Sequence, residues 1–226
     1  MGDGNGAERL PLDARALEAH LAAHLPGFAG PLGIRQFSGG QSNPTYRLDT
    51  PGRTYVLRRK PPGDLLPSAH RIDREFRVMQ ALGRAGFPVP ATLLYCDDKH
   101  VIGAEFFVMT HVEGQVLFDT RMPGLAPEER TAVCHALVDT LADLHRIDVA
   151  AAGLADFGRP GGYLLRQTRR WSEQYRASAT VEIPAMERLM AALPGALEEV
   201  PDETCLVHGD YRLDNTILHP ERPVVL

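Results

Sequence analysis

The sequence has 226 residues and a formal net charge of −5, a mild acidity that argues against a surface built for nucleic acids or anionic membranes. Hydrophobic residues make up 44% and charged residues 23%, as in soluble globular proteins, and no apolar run reaches the ~18 residues of a membrane span. Three scattered cysteines, Cys96, Cys134 and Cys205, and a polar, Gly-rich start without a signal core predict a cytoplasmic protein.

The first half of the chain predicts a helix and then a sheet. Residues 12–25 carry leucines at helical spacing behind Asp13, a candidate N-cap. From residue 32 the apolar period changes to two, which is typical of strands. Strands are predicted at residues 33–37, 45–49, 54–58, 91–96 and 106–112, with a helix at 68–85 and a turn at 97–100. These elements predict a five-stranded antiparallel sheet with one inserted helix.

The second half is predicted to be mostly helical. The apolar spacing indicates helices at 127–147, 162–176 and 183–193, and short strands close the chain at 216–218 and 223–226. We therefore divide the sequence into a helical extension (1–31), a sheet-rich lobe (32–113) and a helical lobe (114–226). The fold class predicted by this order of elements is α+β.

A polar loop near the C-terminus carries the strongest functional signal. Residues 206–215 read LVHGDYRLDN, an apolar strand followed by His208, Gly209 and Asp210, with Asn215 five positions after the Asp. This spacing is typical of a catalytic loop for phosphoryl transfer, in which the Asp accepts the proton of a substrate hydroxyl and the Asn holds Mg²⁺. His208 is expected to brace the loop by hydrogen bonding. The alternative is an ordinary turn with Asp214 and Asn215 as caps.

Two upstream features would support phosphate binding. A Gly-rich segment in the first hairpin could cover nucleotide phosphates with its backbone N–H groups; it consists of Ser38, Gly39, Gly40, Gln41, Ser42 and Asn43. Arg58 ends the third strand, where a phosphate-binding cation is expected, and Glu75 on the next helix could pair with it. The alternatives are a plain hairpin turn, a solvated edge cation and an exposed helix Glu.

The linker between the two lobes is a candidate adenine site. Residues 106–114 start as an apolar strand and end in a Glu-Gly pair. Adenine could stack beside Val56 and Met109 and pair with backbone groups of Thr110 and Val112. These apolar residues could equally belong to the core.

The order of these features resembles the family of aminoglycoside phosphotransferases and choline kinases. Residues 55–63 (YVLRRKPPG) and the 206–215 loop resemble the branch associated with acyl-CoA dehydrogenases. The resemblance runs from about residue 32 to the end and implies a protein-kinase-like two-lobed fold that uses ATP and Mg²⁺. It also implies transfer of the γ-phosphoryl group to a small-molecule hydroxyl, with Asp210 as base, Asn215 as metal ligand, Arg58 as strand cation and Glu75 as its partner.

The sequence departs from the family pattern at its end. The family places a second metal-binding Asp after the strand that follows the catalytic loop, whereas here residues 223–226 begin such a strand and the sequence stops. We therefore expect an N-terminal portion of a phosphotransferase that binds ATP weakly and turns over poorly, because charge neutralisation dominates this chemistry.

Two other functions remain open from the sequence. The first is a kinase-like module that binds a nucleotide or an acyl-CoA without catalysis. The second is a metal-dependent hydrolase, whose ligands would be His208, Asp210, Asp214 and His219. The second reading leaves Asn215 and the Gly-rich hairpin without a role.

Overall fold

The structure is a computed structural model that describes residues 12–37, 43–61, 71–201 and 203–226. The chain forms two compact units, Met1–Leu144 with His208–Leu226, and His145–Val207. The lobe boundaries predicted at residues 31/32 and 113/114 stay predictions. Within the described ranges, no helix combines the length and the apolar character that crossing a membrane requires.

An antiparallel sheet forms the centre of the first unit. Its strands are β1 (Gly33–Gln36), β2 (Thr45–Asp49), β3 (Thr54–Arg59), β4 (Thr92–Cys96) and β5 (Phe106–Thr110). They are ordered β1-β2-β3-β5-β4, and every neighbouring pair is antiparallel. The predicted five-stranded sheet and α+β class are thus confirmed, because the period-two pattern marks all five strands to within two residues at each end.

Helices α1 and α2 pack on opposite faces of the sheet. Helix α1 (Ala14–His24) begins at the predicted cap, where Asp13 accepts hydrogen bonds from Arg15 N and Ala16 N at 3.0 Å each. Its Leu17 and Leu21 pack with Tyr55 and Leu57 of β3 on one face. Helix α2 (Ile72–Arg84) packs Ile72 and Phe76 with Val56, Phe107 and Met109 on the other. Because side chains alternate along a strand, Arg58 lies on the α2 face with Val56.

Three sequence predictions need correction or adjustment. Residues 97–100 were predicted as a turn, but Lys99–Ile102 form a short helix, α3, which Asp98 caps by accepting from His100 N at 2.8 Å. Helix α2 is described from Ile72, and the predicted residues 68–70 lie outside the described residues. The two closing strands are reduced to isolated bridges, Gln115 with Leu218 and Leu218 with Val225.

The predicted helical segments are all present. They are α4 (Pro127–Arg146), α5 (Tyr163–Ser178) and α6 (Pro184–Ala196), and a short 3₁₀ helix, Leu197–Glu199, follows α6. Helix α4 carries the buried Val133, which packs with Met122, Leu213 and Leu218. This cluster attaches the segment after the polar loop to α4.

We expect Leu57→Ala to lower the free energy of unfolding by about 2–5 kcal/mol, because Leu57 is fully buried between the sheet and α1 and the truncation leaves a cavity. Chemical denaturation monitors the change. Val138→Ala, on an exposed position of α4, is the control and should stay within about 0.5 kcal/mol of the wild type. Equal effects of the two substitutions would contradict the assigned core.

Candidate active site

The backbone of the polar loop is shaped by Gly209 and His208. Gly209 has φ +83°, in the left-handed region that residues with a Cβ rarely adopt. This turn lets Asp210 N donate a hydrogen bond to His208 Nδ1 at 3.3 Å. The bracing contact expected of His208 is therefore present, and it holds the backbone of the residue predicted to be the base.

Asp210 and Asn215 are in direct contact. The one-turn 3₁₀ helix Leu213–Asn215 folds the chain back, so that Asn215 Nδ2 donates to Asp210 Oδ2 at 2.8 Å and to Asp210 O at 3.0 Å. Both bonds use Nδ2, which leaves the side-chain oxygen of Asn215 available to a cation. The Asp210 side chain is 69% exposed, so its carboxylate is oriented by the amide and open to solvent.

Arg212 is a charged neighbour of this pair that the sequence analysis did not single out. Its Nη2 donates to Asp214 Oδ2 at 2.6 Å, and its Nε lies 4.0 Å from Asp210 Oδ1. The hydrogen bond with Asp214 raises the pKa of the guanidinium, with smaller support from the charges of Asp214 and Asp210. Alternating charges at positions 210, 212 and 214 were the available signal, but such spacing is common in exposed turns.

Arg58 and Glu75 form the ion pair expected from the sequence. Arg58 Nη1 lies 2.8 Å from Glu75 Oε1, and both side chains are largely buried between β3 and α2. Asn43 Nδ2 donates to Glu75 Oε2 at 3.4 Å, and Asn43 itself is buried. Burial raises the pKa of the Glu75 carboxyl, and the attraction of Arg58 and the Asn43 hydrogen bond only partly offset this cause.

Arg58 has a second notable feature, its Nε–H group. Its Nε is buried and has no hydrogen-bond partner among the described residues. A buried donor on a charged group is costly to leave unpaired, and an anion is the natural partner for it. Phosphate oxygens would meet this requirement.

The residues predicted to contact adenine are partly engaged in other contacts. Val56 and Met109 are each 8% exposed and belong to the apolar cluster under α2, so they also serve as core. Thr110 N donates to Ala91 O at 2.9 Å, so one of the backbone groups of Thr110 is already engaged. Val112 is half-buried just beyond β5. Ser38, Gly39, Gly40, Gln41 and Ser42 lie outside the described residues.

The hydrolase reading requires His208, Asp210, Asp214 and His219 to converge. No group of three or more His, Cys, Asp or Glu side chains suited to one metal ion occurs in the part of the chain that the structure describes. Asp214 instead binds Arg212, and His219 Nδ1 accepts from Glu221 N at 3.1 Å. This ligand set is therefore not supported.

Sequence comparison gives one family and several relatives. The profile of the phosphotransferase enzyme family (APH) matches residues 33–226. Acyl-CoA dehydrogenase family member 11 of Rattus norvegicus is 50% identical over 213 residues, which cover 92% of this chain. The match covers only 27% of the rat protein, so the chain spans about a quarter of that relative's length.

Solved structures share the fold. A Ralstonia eutropha protein, provisionally assigned as an aminoglycoside phosphotransferase, superposes with a TM-score of 0.83 at 47% identity, covering 96% of this chain and 63% of that one. An aminoglycoside phosphotransferase in a ternary complex with streptomycin and ATP gives a TM-score of 0.60 at 18% identity, covering 96% and 69%. These likenesses confirm the predicted kinase-like fold.

We expect the pKa of Glu75 to lie above that of an ordinary carboxyl and to rise further in Arg58→Ala, because the variant loses the charge that favours the ionised form. The folded protein binds this proton more tightly than the unfolded chain. Glu75 therefore contributes fully to the free energy of unfolding at pH values below its pKa in the unfolded chain. This contribution is lost as the pH rises through the pKa of Glu75 in the folded protein.

Carbon NMR titration of the carboxyl signal measures this pKa, with Glu75→Gln assigning the resonance. Arg35→Ala is the control, because Arg35 is exposed and pairs with Asp49. A pKa of Glu75 that falls in Arg58→Ala would contradict the assigned pair.

Proposed function

Because the chain belongs to the phosphotransferase enzyme family, we propose that it catalyses transfer of the γ-phosphoryl group of ATP to the hydroxyl of a small molecule. The observation that carries this proposal is the contact between Asn215 and Asp210. It joins an exposed carboxylate to a side-chain amide whose oxygen takes no part in the two bonds to Asp210. A base and a metal ligand must lie side by side in this chemistry. The loop supplies both from residues five positions apart.

The residues present fit the implied cofactors. The Asn215 side-chain oxygen is a hard oxygen donor, which suits Mg²⁺. The unpaired Nε of Arg58 suits a phosphate oxygen. When bound, ATP provides the phosphoryl group and Mg²⁺ neutralises its charge.

Asp210 acts as the general base in this proposal. Its carboxylate accepts the proton of the acceptor hydroxyl, which makes the oxygen a better nucleophile. Asn215 engages Oδ2, so Oδ1 is the oxygen left to take the proton. The His208 contact holds the Asp210 backbone, and the Asn215 hydrogen bond to Oδ2 orients the carboxylate. Orientation of this kind is a large part of catalysis when little covalent chemistry is required of the protein.

Arg58 holds the phosphates and Glu75 holds Arg58. The ion pair fixes Nη1 of the guanidinium and leaves Nε for an anion. Asn43, which we predicted to contact phosphate, donates to Glu75 and so steadies the pair. The Gly-rich residues 38–42, which lie outside the described residues, are proposed as phosphate contacts, and Thr110 and Val112 as contacts for adenine.

For the acceptor we propose a metabolic alcohol, with a hydroxyacyl-CoA as the first choice. The support is the 50% identity to a protein named as an acyl-CoA dehydrogenase family member, whereas the enzyme solved with streptomycin is 18% identical. The Ralstonia eutropha protein provisionally assigned as an aminoglycoside phosphotransferase is 47% identical, so aminoglycosides stay in the comparison. A screen that pairs Mg²⁺ and ATP with hydroxyacyl-CoAs, aminoglycosides and choline separates these acceptor classes by which one yields ADP.

Asp210→Asn should lower turnover by about 10²- to 10⁴-fold, because the variant keeps the shape of the side chain but cannot take the proton. ADP release with Mg²⁺ and the best acceptor measures turnover, and calorimetry measures ATP binding, which should persist. Asp139→Asn, an exposed position on α4, is the matched control and should keep wild-type activity.

A wild-type protein that binds ATP but yields no ADP with any acceptor would favour the binding module. A tightly held transition metal in the purified protein would favour the hydrolase.

A further inference from the structure

Tyr211 connects the polar loop to a distant helix. Its Oη donates a hydrogen bond to Leu137 O in α4 at 2.8 Å, between residues 74 positions apart in the sequence. The carbonyls inside a helix normally accept from the backbone four residues on, so the phenol adds a second donor at Leu137. The contact joins the residue after the proposed base directly to a rigid element.

The same side chain also contacts the residue that braces the loop. The rings of Tyr211 and His208 meet edge to face with centroids 5.5 Å apart, and His208 Nδ1 accepts from Asp210 N. Helix α4, Tyr211, His208 and Asp210 therefore form one continuous series of contacts. Movement of the phenol off α4 would be transmitted to the backbone of the base.

Side chains alternate along this segment. Tyr211 is half-buried and Leu213 is buried against Val133 of α4, whereas Asp210 and Arg212 are 69% and 59% exposed. Leu213 anchors the segment through apolar contact, which has no preferred direction. The Tyr211 hydrogen bond is directional and can set the position of the loop along the helix.

We propose that Tyr211 is a positioning residue, whose hydroxyl holds the 208–215 loop on α4 so that the Asp210 carboxylate stays aligned with Asn215. This inference rests on the proposed function, because alignment matters only if Asp210 takes part in the transfer. The loop needs such a tether since Gly209 offers little resistance to rotation and no regular strand or helix includes residues 203–212.

Tyr211→Phe tests the inference because it removes only the hydroxyl. We expect turnover with Mg²⁺ and ATP to fall about tenfold or more, while the KM for ATP and the thermal midpoint change little. Hydrogen–deuterium exchange should become faster in peptides covering residues 206–216 and stay unchanged in β3 and β5. Tyr175→Phe is the matched control, because the buried Tyr175 hydroxyl has no hydrogen-bond partner among the described residues.

The two readouts separate the possible failures. Wild-type turnover or unchanged loop exchange in Tyr211→Phe would overturn the positioning role and leave the proposed function standing. Absence of turnover in the wild-type protein would overturn the proposed function. In that case, hydrogen–deuterium exchange of the loop that is faster in Tyr211→Phe than in Tyr175→Phe would still support the tether. Equal exchange in Tyr211→Phe and Tyr175→Phe would refute it.

Discussion

The hydrogen bond from Asn215 to Asp210 is the constraint on which the candidate site depends. An exposed carboxylate rotates freely unless a donor holds one of its oxygens. A hydrogen bond to a charged acceptor is stronger than one between neutral groups. The donor reaches Asp210 only because Leu213–Asn215 turn once, and that turn is held by burial of Leu213 in the α4 cluster. Apolar packing beneath the loop thus sets the geometry of the polar groups on its surface.

The second half of the site follows from the alternation of side chains in β3. Arg58 must lie on the same face as Val56, and this is the face that α2 covers. Burial raises the pKa of Glu75 although Arg58 is only 2.8 Å away, so desolvation outweighs the attraction between the two charges. A pair of this kind is a weak source of stability, and its value lies in fixing the direction of the guanidinium.

Much of this arrangement is predictable from local pattern. The period of two locates the five strands, Asp13 marks the start of α1, and the spacing of the loop motif pairs Asp210 with Asn215. Contacts between distant segments are not predictable in this way. The bond from Tyr211 to Leu137 spans 74 residues, and Ala91 engages the Thr110 amide across the sheet edge.

Asn43 shows why position in a motif is not enough. It ends a Gly-rich hairpin, which predicts a phosphate contact, and that role stays a prediction. Its side chain also donates to Glu75, a contact between distant segments that the motif does not indicate. The helical turn of α3 was missed for a different reason, since four residues are too few to show a period.

Two buried donors, the Tyr175 hydroxyl and Arg58 Nε, have no hydrogen-bond partner in the part of the chain that the structure describes. The Tyr175 hydroxyl lies in an apolar groove between α5 and α6, and a neutral phenol left unpaired there costs a modest amount. Arg58 Nε belongs to a permanent cation, for which an unpaired buried donor is more expensive. Apolar residues pack the same face of the sheet, so an anionic partner would suit this donor better than a neutral one.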